Sequence, residues 1–202
     1  MNSSKLRVAF AAGVAALALV GCNKPATTTT STNTAVAPTA STSKASGDPI
    51  ASAESAAPAS IAHDASIATI DASGATKILR QGKNGWTCMP DSPATPGPDP
   101  MCMDANAAKW AQAWIGKKEP PQGTVGVMYM LEGGTDASNT DPYATKPTTE
   151  NEWVSTGPHI MIVGSKDVLA GYPSGAKPET AAPYVMWAGT PYAHLMIPVA
   201  KS

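Results

Sequence analysis

From Ser66 to Val199 the chain alternates short apolar runs with turn-forming residues. Ser66–Ala72 and Ala75–Arg80 flank Ser73-Gly74, a pattern that predicts a β-hairpin. Val125–Leu131, His159–Val163, Tyr184–Ala188 and His194–Val199 have the length and β-branched content of strands. One segment follows a helical period instead. Met103, Ala107, Trp110 and Trp114 fall at i, i+4, i+7 and i+11, forming one apolar stripe. Asp104 stands where a cap is needed, and Gly116 with Pro120-Pro121 ends the pattern, so a helix is expected over about 105–115. Crossover helices for a parallel sheet are too few. The expected class is α+β: one domain, a mainly antiparallel sheet, and one or two helices on one of its faces.

The first 63 residues read differently. Lys5 and Arg7 precede the apolar run Val8–Val20, which is shorter than the roughly 20 helical residues that span a bilayer but suits a secretory leader. The run closes on Leu19-Val20-Gly21-Cys22. That segment resembles the lipobox of bacterial lipoproteins. The resemblance implies a diacylglyceryl thioether on Cys22, cleavage before it, acylation of the new amine, and the lipid bilayer as a partner. Palmitate-type chains at about 0.8 kcal/mol per buried methylene make such an anchor stable. In Gram-negative lipoproteins an Asp after the modified Cys commonly means inner-membrane retention. Asn23 stands there, which implies the outer membrane, facing the periplasm or the exterior, in such a host. From Asn23 to His63 the chain is mostly Thr, Ser, Ala and Pro, with Val36, Ile50 and Ile61 its only large aliphatics. It is expected to be a disordered tether. The expected organisation is thus a leader over 1–21, lipidated Cys22 and tether over 22–63, and a globular domain over 64–202.

Composition excludes some functions. At 43% hydrophobic, 14% charged and a formal net charge of −1, the chain lacks the basic face that a nucleic-acid binder needs. Losing Lys5 and Arg7 with the leader makes the net charge −3. With Cys22 acylated, Cys88 and Cys102 remain as an even pair in an oxidising compartment, around Pro90, Pro93, Pro96, Pro98 and Pro100. A structural disulfide is expected, since a Cys-x-x-Cys redox spacing is absent.

Two places carry candidate chemistry. Pro158-His159-Ile160-Met161 and Ala193-His194-Leu195-Met196 resemble each other, and in a strand each His shares a face with the Met two residues on. If the strands bring them together, His159, Met161, His194 and Met196 are soft ligands of the kind copper sites use. The same pair, with Asp141 orienting a ring or adding a ligand, also suits a His-dependent hydrolase. Simple antiparallel pairing instead puts the two His at opposite ends, in a plain core where Met is filler. The second place is the stretch from Gly133 to Pro158, long enough for a binding loop, with Asn139, Asp141, Tyr143 and Trp153 as candidates. Turn chemistry is the competing reading of its Asx and Pro residues. Gly-x-Ser-x-Gly, His-Glu-x-x-His, phosphate-loop and Cys-x-x-Cys-His patterns are absent, and Ser174-Gly175-Ala176-Lys177 precedes Pro178 in a loop. The runs Asn84–Pro90, Ser138–Tyr143 and Trp187–Tyr192 resemble exported bacterial proteins to which no activity is assigned, so no site residue is implied. The sequence therefore favours an envelope lipoprotein with a non-enzymatic domain that binds an envelope protein, a cell-wall component or a small ligand. No cofactor is expected on that reading; the alternative is the copper-type or His-dependent protein above.

Overall fold

The computed structural model describes residues 47–71 and 75–200. Cys22, the leader, most of the tether and the Ser73-Gly74 turn lie outside them. The elements run α1 (Pro49–Glu54), α2 (Ala59–Ala62), β1 (Ser66–Ile70), β2 (Thr76–Arg80), β3 (Thr87–Met89), β4 (Met101–Met103), α3 (Ala105–Ile115), β5 (Gly126–Met130), β6 (Ala137–Ser138), β7 (Trp153–Val154), β8 (His159–Val163), a 3-10 turn (Asp167–Leu169), β9 (Tyr184–Met186) and β10 (His194–Pro198). Eight strands form one sheet in the order β2-β1-β3-β4-β5-β8-β10-β9, and β6 pairs with β7 apart from it. Among the described residues every ladder is antiparallel except β1–β3. The α+β class and the mainly antiparallel sheet are as expected. No helix among the described residues is long and apolar enough to cross a membrane.

The helices divide between the two faces rather than sharing one. On one face α1, α2 and the residues that follow them pack over Ile67, Cys88 and Cys102 through Ala53, Ala56, Ala62 and Ala65, all fully buried. Asp48 starts α1 by accepting from the Ile50 N–H at 2.9 Å, with Pro49 fixing the first helical turn. Arg80 fastens this corner. It pairs with Glu54 at 2.6 Å and donates to the Ala62 and Ala65 carbonyls at 2.8 and 3.1 Å. Residues 48–63 are therefore part of the domain and not of a disordered tether running to His63. Alanine buries little area, but its small side chain lets the helix backbone approach the sheet, and polar ties do the rest.

Cys88 and Cys102 face each other across the β3–β4 ladder and form the expected disulfide. The proline loop between them is held by two aspartates. Asp91 accepts from the Asp99 N–H at 2.8 Å, and Asp99 accepts from the Ser92 N–H at 2.9 Å.

On the other face lies α3. Asp104 caps it with one oxygen, 2.7 Å from the Ala107 N–H, and with the other accepts from the Val127 N–H of β5 at 3.0 Å. One carboxylate thus starts the helix and ties it to the sheet. Gly126 permits the close crossing, because a Cβ there would stand 2.3 Å from the Ala107 nitrogen. Trp110 is 2% exposed; burying roughly 200 Å² of indole surface contributes about 5 kcal/mol as an upper bound.

Candidate functional site

The sheet face beneath α3 is paved with methionine. Met103, Met128, Met161 and Met196 are successive cross-strand partners on β4, β5, β8 and β10, a row four strands wide. Beside that row, Met89 pairs with Met101, Met130 with His159, and Met186 with His194. The chain has nine methionines including Met1, and the other eight all line a single cleft of about 480 Å³ between this face and α3. Strand parity explains the sorting. Met-x-Met and His-x-Met spacings put both side chains on one face, and the register aligns those faces across the sheet.

Trp110, Trp114 and Trp187 form the aromatic wall of the cleft. Trp110 and Trp187 stack at 6.3 Å, and Trp114 lies 5.2 Å from Trp187. At the mouth Ile70 of β1 and Ile78 of β2 are exposed by 49% and 44%, since α3 packs mainly on β4, β5 and β8, and Ile115 at the end of α3 is exposed by 61%. Asp99 is the only Asp, Glu, Lys or Arg in the lining, and burial raises its carboxyl above the ordinary range.

Both histidines line this cleft, but they do not pair. Met161 opposes Met196, His159 opposes Pro198, and Leu195 opposes Ile162, so His159 and His194 stand at opposite ends of the β8–β10 ladder. At about 3.3 Å per residue they are roughly 13 Å apart along the strands. The register sets His159, the Met161–Met196 pair and His194 in a line along one cleft, rather than placing the two rings opposite each other. Their local geometry is nonetheless the same. His159 Nδ1 donates to the Gly157 carbonyl at 2.6 Å and His194 Nδ1 to the Tyr192 carbonyl at 2.9 Å, each two residues back. A carbonyl only accepts, so each ring carries its proton on Nδ1 and presents a bare Nε2. His194 Nε2 and Trp110 Nε1 are buried with no hydrogen-bond partner among the described residues. Desolvation lowers the pKa of both rings, that of His194 to about 4, so both are neutral at neutral pH. No hydroxyl, thiol or carboxylate bonds either ring among the described residues, which leaves neither one arranged as the base of a nucleophile.

The loop candidates face elsewhere. Asp141 is exposed and accepts from the Tyr143 N–H at 2.8 Å, making a turn, with no bond to either histidine. The Asn139 amide donates to the Gly175 and Ala176 carbonyls at 3.1 and 2.9 Å, while its Oδ1 is buried without a partner. The Tyr143 hydroxyl donates to the Trp114 carbonyl at 3.0 Å, and Trp153 sits in the β6–β7 ribbon. These four residues are absent from the cleft lining, whereas Gly134, Thr135, Ala137 and Thr156 of the same stretch border it. The cleft itself was missed from sequence, although the Met-x-Met pairs at 101/103 and 128/130 carried its signal. Among the described residues no cluster of three or more His, Cys, Asp or Glu is arranged to hold a metal ion. Comparison with protein-family models, with curated proteins and with solved structures returns no match.

Proposed function

We propose that the chain is a cell-envelope lipoprotein, anchored through acylated Cys22, whose folded domain binds a small uncharged apolar molecule in the methionine-lined cleft. One observation carries the binding reading: a half-open cleft of about 480 Å³ whose mouth keeps three isoleucines in water. Clefts of this size with predominantly apolar walls suit small-molecule ligands. Exposed apolar surface gathered at one mouth, rather than scattered, marks a place where something docks. The lack of Lys and Arg in the lining and the neutral histidines favour an uncharged occupant. The anchor rests on Lys5, Arg7, the apolar run and Leu19-Val20-Gly21-Cys22. With the domain beginning near Asp48, residues 23–47 are left to join it to the lipid.

Titration of the protein with Nile red tests the cleft. Saturable binding is expected, and Ala108→Trp, which adds an indole to the lining of the cleft, should abolish it without changing the circular dichroism. Undiminished dye binding in that variant would sink the reading. The anchor is tested separately, by incorporation of labelled palmitate that disappears in Cys22→Ser; label that persists overturns it.

A further inference from the structure

Four side chains on the paired strands β5 and β8 form a compact block of soft donors. Met130 lies opposite His159, and Met128 lies opposite Met161. The two pairs are two residues apart along each strand, so all four side chains leave the same face. Opposite residues hold their Cβ atoms about 4.5–5.5 Å apart, and residues two along a strand are about 7 Å apart. A rectangle of that size is one that three flexible thioethers and one imidazole can span toward a single ion.

The imidazole is oriented as a ligand would be. Its Nδ1 is committed to the Gly157 carbonyl at 2.6 Å, which leaves Nε2 as the ring nitrogen with the lone pair. Fixing one ring nitrogen on a carbonyl so that the other faces the ion is how metal-binding histidines are commonly supported. Gly134 packs its backbone directly over this group: a Cβ there would stand 2.8 Å from Thr156 Oγ1, 3.1 Å from His159 Cε1 and 3.6 Å from Met130 Cε.

We infer that His159 Nε2 and the sulfurs of Met128, Met130 and Met161 bind one soft monovalent cation, Cu(I), for which Ag(I) is a redox-silent analogue. The donors decide the metal. Thioether and imidazole ligands select Cu(I) over hard ions, which need carboxylate or carbonyl oxygen. A single charge also costs less to desolvate in this apolar cleft than a double one. This site is independent of the apolar-ligand reading, which uses the volume of the cleft and not its sulfur.

The test uses the full chain in detergent with its disulfide intact, methionine methyls carbon-13 labelled, and Ag(I) alone as probe. One equivalent should shift the Met128, Met130 and Met161 methyl signals and leave Met89 in place. Replacing Met128, Met130 and Met161 together by Leu conserves volume while removing sulfur. It should weaken Ag(I) binding by about a hundredfold or more, beyond what loss of a supporting contact alone costs. Should that variant fail to fold, His159→Gln alone is expected to weaken binding at least tenfold, the lower end of the same range. Undiminished Ag(I) affinity in a folded variant, or shifts spread evenly over all the methionine methyls, would overturn the site. Nile red binding measured in parallel separates the readings: dye without Ag(I) removes the metal site alone, and Ag(I) without dye removes the apolar ligand alone.

Discussion

At the scale of single residues, a few buried or doubly bonded side chains carry most of the local consequence. Asp104 serves two backbone donors, one in α3 and one in β5, with separate oxygens. Asp104→Ala should lower stability by about 1–2 kcal/mol, the range of a lost cap, and Asp104→Asn should recover part of it because the amide keeps one acceptor oxygen. Urea unfolding of the three proteins checks the order. His194 gives a pH dependence of definite sign. Its folded pKa of about 4 lies below the ordinary 6.5, so between these values the unfolded chain binds the extra proton. Stability is complete above pH 6.5 and falls as pH drops toward 4, by about 3 kcal/mol for this one group. The rings of Trp110 and Trp187 and the strand partner Met186 surround it; desolvation is the largest cause, the Tyr192 carbonyl opposes it, and a charged His159 lowers the value further, with no carboxylate among the causes. Unfolding measured at pH 7.5 and pH 4.5 should show the loss, and His194→Gln should reduce the difference.

At the scale of elements, α3 and the sheet meet without spare room. Gly126→Ala would set a methyl against the backbone of Ala107. It should therefore unfold the domain or lower its melting temperature by several degrees, because one backbone must move off the other. Alanine at Gly123 or Gly157, where a Cβ meets nothing, is the fit comparison, Gly157 more so because Gly123 has positive φ. The same elements indicate what a sequence reveals. Helix α3 was legible because its stripe, cap and stop are all local, and β8 because its apolar run is unbroken. Strands β3 and β4, three residues each, were hidden beside the prolines, since only pairing with their neighbours makes them strands. Helices α1 and α2 were hidden because an alanine-rich surface is valuable only where a sheet comes close. The His–Met repeats were visible as shared faces, and simple antiparallel pairing already puts the two His at opposite ends, but the row of Met103, Met128, Met161 and Met196 depends on strand order, which no local pattern encodes.

At the scale of the molecule, the boundary of the folding unit and the segregation of its side chains matter most. A chain starting at Gly47 should melt at the same temperature as one starting at Cys22. One starting at Asp64 should be strongly destabilised, because it uncovers Ile67 and the disulfide and strips Arg80 of Glu54 and Ala62; differential scanning calorimetry decides. The other feature is chemical. Oxidation turns a thioether into a polar, chiral sulfoxide, and here every such group except that of Met1 borders one cleft. Peroxide or hypochlorite reaching the protein would attack the half-buried Met89, Met101 and Met161 before Met128 and Met196, which are 2% and 3% exposed. Peptide mapping after brief peroxide treatment should give that order. An apolar cleft would become a polar one without any change in sequence, and methionine sulfoxide reductases would restore it. Whatever the cleft holds, its grip is therefore tied to the oxidant level of the compartment around it.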